Sequence, residues 1–281
     1  MFQGAITALA TPLRGGEVDL KGLRELVERQ IQQGINGLVP CGSTGEAATL
    51  SREEQARKRV PVIAGAGSNS TRAAIELSAM AADAGADGLL HVTPYYNKPP
   101  QAGLLAHFRA VAEAVRLPVL LYNVPSRTGC DLLPDTVAKA AQLPRVVGIK
   151  EATGNLARGQ AVIAACPRDF VVLSGDDATC LALTLMGGAG VISVVSNLVP
   201  GAIVRMIAAA RAGQVEQARA LHYQHQGLMD ALFIESNPVP VKAALSLIGI
   251  GANEVRSPLQ PLAGEKLEAL RAELSRLGLV S

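Results

Sequence analysis

The order of elements along the chain predicts an α/β fold: a closed (β/α)8 TIM barrel with a C-terminal helical extension. Two observations carry that expectation. About eight short β-rich runs alternate with amphipathic helical stretches, and no long polar linker separates them. After the last run the pattern becomes wholly helical. A doubly wound open sheet would show the same alternation, but no G-x-G-x-x-G fingerprint follows its first strand.

In chain order the strand candidates are 5–9, 37–39, 61–64, 88–92, 118–122, 146–150, 170–174 and 190–194. The helical stretches between them include 20–33, 71–84, 101–115, 155–165 and 178–186. Asp19, Ser51, Ser70 and Asp135 stand where N-caps are wanted. One unit is short: residues 51–59 leave about two and a half turns for the second helix. The barrel is placed at 1–212 and the extension at 213–281, with helices at 203–212, 215–233, 239–248 and 265–277. Pro238 and Pro240 mark the break before the third of these.

Composition narrows the function classes. Hydrophobic residues make up 49% and charged residues 18%, enough apolar surface for a large core. Trp is absent and aromatics are 3%, so that core is Leu, Val, Ile and Ala. A net charge of +2 gives no basic field for nucleic acid or a membrane surface, and Arg52, Arg57, Lys58 and Arg59 read as a solvated helix face. Cys41, Cys130, Cys166 and Cys180 are widely spaced without C-x-x-C, as free thiols in a reducing compartment would be. His222 and His225 have nothing nearby to complete a metal set. With neither a signal-peptide pattern nor an apolar run of spanning length, a soluble cytoplasmic protein is expected.

The chemistry-bearing residues cluster where a parallel barrel keeps its active site, at the strand C-termini. Val146, Val147 and Ile149 form an apolar run that ends in Lys150. Burial disfavours an ammonium, and a neutral amine attacks ketones, so Lys150 is a candidate Schiff-base former. The bland alternative is a lysine that snorkels from the strand end or pairs with Glu151. After the second strand, Ser43 and Thr44 lie between Gly42 and Gly45, either an ordinary turn or a grip for a carboxylate. Tyr95 and Tyr96 follow the fourth strand. Tyr122 ends the fifth, and Arg127 stands on the loop after it. That arginine is either a bidentate carboxylate binder or a surface residue. Ser174 to Asp177 follow the seventh strand, and Gly190 to Ser193 form the eighth.

Together GSTGE (42–46), VTPYYNKP (92–99), YNVPSRTG (122–129), GIKEATG (148–154) and SGDDAT (174–179) resemble the pyruvate-dependent class I aldolase family that includes N-acetylneuraminate lyase. FIESNPVPVKAAL (233–245) matches as well, and the likeness runs from Phe2 to about Leu277. The resemblance implies that Lys150 forms an imine with pyruvate and that Tyr122 donates and accepts protons above it. Ser43, where threonine is common, would join Tyr122 and Tyr96 in a hydroxyl relay, with Tyr96 reaching into a neighbouring subunit. Thr44 would hold the pyruvate carboxylate, and Gly175 and Ile192 would line the pocket.

Arg127 would bind the carboxylate of L-aspartate 4-semialdehyde. That residue favours a lyase making 4-hydroxy-tetrahydrodipicolinate for diaminopimelate and lysine biosynthesis over sugar-acid, sialic-acid or 4-hydroxy-2-oxoglutarate lyases. No cofactor or metal is implied, and the assembly expected is a homotetramer of dimers that share Tyr96. From another class, a non-catalytic keto-acid-binding barrel remains open, although a binder has no use for an imine-forming lysine. Ala47, Gln55 and Ala73 offer little to hold an ammonium, so feedback by lysine is expected to be weak or absent, with Tyr95 and Asn69 the polar groups left there.

Overall fold

The computed structural model describes residues 2–45 and 59–280. Eight parallel strands form one sheet: β1 (Gly4–Ala8), β2 (Gly37–Val39), β3 (Ile63–Gly65), β4 (Gly88–Val92), β5 (Val119–Asn123), β6 (Val146–Glu151), β7 (Val171–Ser174) and β8 (Gly190–Ser193). Their lateral order is β2-β1-β8-β7-β6-β5-β4-β3. A parallel bridge between Leu38 and Val62 joins the two ends and closes the ring. The strands are short and apolar because both faces are covered, by interior side chains and by the surrounding helices. β1, β5 and β8 are buried along their whole length.

The helices follow the amphipathic stretches. They are α1 (Leu20–Gln32), α2 (Thr71–Asp83), α3 (Gln101–Ala114), α4 (Pro125–Thr128), α5 (Pro134–Ala140), α6 (Leu156–Ala165), α7 (Cys180–Leu185) and α8 (Pro200–Arg211). Asp19 caps α1 by accepting from Gly22 N at 2.9 Å, and Ser70 caps α2 through Ala73 N. Asp135 does not cap. It lies in the first turn of α5 behind Pro134, where its charge still faces the positive end of the helix dipole. α8 starts at Pro200, before residue 203, because proline suits a first turn whose N–H groups have no helical acceptor.

The extension continues with α9 (Val215–Ala231), α10 (Val239–Leu247) and α11 (Gly264–Arg276). α10 starts at Val239, where the sequence places it, with Pro238 as its N-cap and Pro240 in its first turn for the same reason as Pro200. Leu228, Met229, Leu232, Val241, Leu245, Leu270 and Leu274 share one apolar cluster with Phe2, Ile6 and Leu38 of the barrel. A small antiparallel hairpin, Leu13–Arg14 with Glu17–Val18, was not legible in the pattern. Ser51, Arg52, Arg57, Lys58 and the short second helix lie outside the described residues. Arg59 is exposed and pairs with Glu28. Among the described residues, no helix is long and apolar enough to cross a membrane.

One irregularity of the barrel bears on the site. Val119 pairs with Val146, but Leu120 pairs with Gly148, so Val147 is an extra residue in β6. Without that shift Tyr122 would face Ile149. With it, Tyr122 and Lys150 are lateral partners, and so are Asn123 and Glu151.

Candidate active site

Neighbouring residues at one level of parallel strands turn their side chains to the same face. Tyr122 and Lys150 therefore project together into the barrel at the strand C-termini. The Nζ of Lys150 lies 4.4 Å from the centroid of the Tyr122 ring. Both residues are buried, at 6% exposure for Lys150 and 7% for Tyr122. Glu151 turns the other way. Its carboxylate is taken by Arg158 Nε at 3.1 Å and by Thr153 N at 2.9 Å, so the bland pairing of Lys150 with Glu151 is not made.

Two further strand ends, and the segment that follows β5, complete the rim. After β2, residues Ser43–Gly45 form a turn of 3-10 helix that buries Thr44 and leaves Ser43 exposed. Thr44 Oγ1 accepts a hydrogen bond from Asn237 Nδ2 at 2.8 Å. After β5 the stretch read as a loop is the short helix α4, opened by Pro125 and ended by Gly129 at a φ of 67°. Arg127 on α4 donates through its guanidinium to Asn237 O at 3.2 Å. After β7, Asp177 is buried and accepts from Val194 N at 2.8 Å and Val195 N at 3.1 Å, which ties the end of β8 to that of β7. Burial pushes its carboxyl above the ordinary range despite those two donors.

The sequence model of the Dihydrodipicolinate synthetase family matches residues 1–277. The chain belongs to this family. It is 53% identical to a 4-hydroxy-tetrahydrodipicolinate synthase of Maridesulfovibrio salexigens, over 99% of each chain. That alignment spans 290 positions against 281 residues here, so the relative carries residues this chain lacks. Among solved structures, the chloride-inhibited dihydrodipicolinate synthase from Acinetobacter baumannii complexed with pyruvate is 49% identical, with a TM-score of 0.96 over 100% of each chain. A monomeric dihydrodipicolinate synthase variant is 42% identical, with the same TM-score over 99% of this chain and 98% of that one.

Not every residue singled out in the sequence converges within one copy of this dihydrodipicolinate synthetase family chain. Lys150, Tyr122, Thr44 and Arg127 are tied to one rim, directly or through Asn237. Tyr96 is 88% exposed, and its backbone holds a left-handed φ of 72° while its N–H donates to Thr128 O at 3.2 Å. Among the described residues, no hydrogen bond joins the hydroxyls of Ser43, Tyr122 and Tyr96. Gly175 lies against the stem of Lys150: a Cβ there would stand 2.8 Å from Lys150 Cε and 2.6 Å from Ala152 Cβ. Its N–H is spent on Glu151 O at 2.7 Å, so Gly175 contributes space and not a donor. Ile192 is fully buried in β8.

Asn237 is the residue that sequence reasoning missed. It sits between the two groups read as carboxylate binders. The SNPVP stretch drew notice only as part of a likeness, because nothing local shows that a turn before α10 folds back onto the rim. Of the positions weighed for lysine binding, Ala47 and Gln55 lie outside the described residues, as does Glu46 of the GSTGE motif. Both His222 and His225 lie on α9, where His225 Nδ1 is 2.8 Å from Leu221 O while the buried Nδ1 of His222 has no partner among the described residues.

Proposed function

We propose that this chain condenses pyruvate, held as an imine on Lys150, with L-aspartate 4-semialdehyde to give 4-hydroxy-tetrahydrodipicolinate. The observation that carries the reading is a buried lysine amine 4.4 Å from the centre of a tyrosine ring at the mouth of a closed barrel. Family membership, with relatives named 4-hydroxy-tetrahydrodipicolinate synthase over the full length, supports the substrate pair.

The chemistry follows from the groups present. The Lys150 amine adds to the pyruvate ketone, and loss of water leaves the imine. A tyrosine face attracts a cation at this distance, and the cation formed here is the protonated imine. That imine draws electrons from the pyruvate methyl, which loses a proton to give an enamine. The enamine carbon attacks the aldehyde, and Tyr122 is the neighbouring acid and base for the proton transfers. The amino group of the second substrate then adds to the imine carbon, closes the ring and expels the Lys150 amine. Overall one water is released.

Thr44 is assigned to the pyruvate carboxylate and Arg127 to that of the second substrate, whose bidentate geometry suits a guanidinium. A free phenol titrates near a pH of about 10, too high for an efficient base at neutral pH. A relay through Ser43 and Tyr96 would answer that. Tyr96 projects outward, so we infer an assembly in which it completes the relay of a neighbouring copy, a homodimer within a tetramer. Four unpaired thiols support placement in the cytoplasm. No cofactor is invoked beyond the covalently held pyruvate.

Borohydride reduction in the presence of pyruvate, read by mass spectrometry, tests the reading. A mass increase on Lys150 is expected in the wild type and none in Lys150→Ala, together with loss of turnover. An unmodified Lys150 in the wild type would overturn it and leave a keto-acid-binding barrel.

A further inference from the structure

Behind the lysine and the tyrosine, on the opposite face of the same two strands, lies a ring of polar groups that the reaction does not use. Asn123 follows Tyr122, and Glu151 follows Lys150. Asn123 Nδ2 donates to Asp131 Oδ1 at 2.9 Å and to Glu151 Oε2 at 3.4 Å. Arg158 closes the ring from α6, with Nε on Glu151 Oε2 and Nη1 on Asp131 Oδ2, both at 3.1 Å. The free corners are also satisfied. Asn123 Oδ1 accepts from Leu132 N at 3.0 Å, and the third Arg158 nitrogen, Nη2, donates to Leu132 O. Asn123 is fully buried, and the side chains of Glu151 and Arg158 are 3% and 11% exposed.

A buried carboxylate and guanidinium, with the second carboxylate at a half-exposed corner, are a poor way to gain stability, since apolar residues of the same volume do as well or better. What such a ring gives is geometry. Strands β5 and β6 pass through a one-residue shift at Val147 before they reach the site. Either register offers regular parallel hydrogen bonding beyond that point, and a slip by one residue turns every side chain to the other face. The ring fixes Asn123 opposite Glu151, and thereby Tyr122 opposite Lys150.

We propose that Arg158, with Glu151, Asp131 and Asn123, is a positioning set that holds the shifted register and keeps the Lys150 amine over the Tyr122 ring. The inference rests on the imine chemistry proposed above, and its test is arranged so that the two fail separately. Arg158→Lys keeps the charge but loses the planar fork that spans two carboxylates. Asp131→Asn keeps the shape at a half-exposed position and stays decisive should Arg158→Lys fail to fold. Leu270→Ala, in a distant helix, serves as a variant that loses stability alone.

The readouts are turnover per folded molecule, the pyruvate KM, and the rate of borohydride trapping on Lys150 at saturating pyruvate. Misplacement of a reacting group by about 1 Å costs on the order of 10²-fold, so a loss of about tenfold to a hundredfold in kcat and trapping rate is expected for both ring variants. The pyruvate KM should stay within about threefold, the mark of an interaction expressed in the transition state. Leu270→Ala should lower the melting temperature with both rates unchanged. Wild-type kcat and trapping rates in either folded ring variant would overturn the positioning role while leaving the proposed function intact. Absence of a wild-type adduct would instead remove the proposed function and this inference with it.

Discussion

Asn237 reaches across 193 positions of sequence to donate a 2.8 Å hydrogen bond to Thr44 Oγ1, while its backbone carbonyl accepts from Arg127. One residue of the C-terminal segment thus braces both groups assigned to substrate carboxylates. Asn237→Ala would leave Thr44 without its buried donor, at a stability cost of about 1–2 kcal/mol. Because the Arg127 contact goes to backbone, it survives the substitution. The pyruvate KM should rise about tenfold with kcat much less affected, the pattern of lost ground-state binding. Steady-state kinetics at fixed aldehyde concentration read the difference, and an unchanged pyruvate KM would count against the bracing.

Gly175 tests how closely the lysine stem is held. A Cβ there meets Lys150 Cε at 2.8 Å and Ala152 Cβ at 2.6 Å, so either the stem or the strand end must give. The side chain is the softer of the two. Gly175→Ala should therefore push the amine off the Tyr122 ring and slow imine trapping by about 10²-fold, the effect of an ångström-scale misplacement. The fold, fixed by strands on either side, should persist. Trapping at the wild-type rate would mean that the stem has room to spare.

The barrel was legible in the sequence because the repeat is strong. Short apolar runs at near-regular spacing admit few arrangements, and Asp19 and Ser70 announced their helices with correct cap chemistry. Asp135 misled because proline opens a helix as readily as it stops one: Pro134 takes the first position, and Asp135 falls inside α5. Lys150 and Tyr122 stood out as chemical types at strand ends, and Arg127 on the segment that follows one. The extra residue Val147 did not, since a one-residue shift leaves no mark in composition, although it decides which side chain faces Tyr122. Asn237 and the Arg158 ring were invisible for a related reason. Asn237 finds Thr44 193 positions away, the ring joins β5, β6, α6 and the segment before α5, and a polar residue looks alike in sequence whether it faces water or a buried neighbour.

Ser43 carries the hydroxyl expected in the proton relay on an exposed turn next to buried Thr44. Removing it in Ser43→Ala should lower kcat by about 10²-fold, a general acid–base magnitude, with the pyruvate KM little altered. Ser43→Thr should be neutral or faster, because the added methyl restricts χ1 and holds the hydroxyl in place. Measured kcat values for the pair decide it. A Ser43→Ala enzyme at full speed would show that protons reach Tyr122 by another route.

Acid sensitivity should trace to His91, fully buried on the outer face of β4. Ser78 Oγ spends its proton on Ala74 O at 2.6 Å, so the 3.1 Å contact with His91 Nε2 makes that nitrogen the donor. Nδ1 is then bare, and it has no partner among the described residues. Protonation would bury a new N–H without an acceptor beside a second imidazole, His107. Burial first, then that neighbour, pulls His91 down to about 3. The folded value lies below the unfolded one of about 6.5, so the unfolded chain takes up the proton first. Stability is complete above that pH and falls through the window between about 6.5 and 3, by about 2 kcal/mol at pH 5. His91→Gln, which cannot titrate, should flatten this acid limb. Urea midpoints of the two proteins at pH 7 and pH 5 measure it, and equal losses in both would assign the acid limb to other groups.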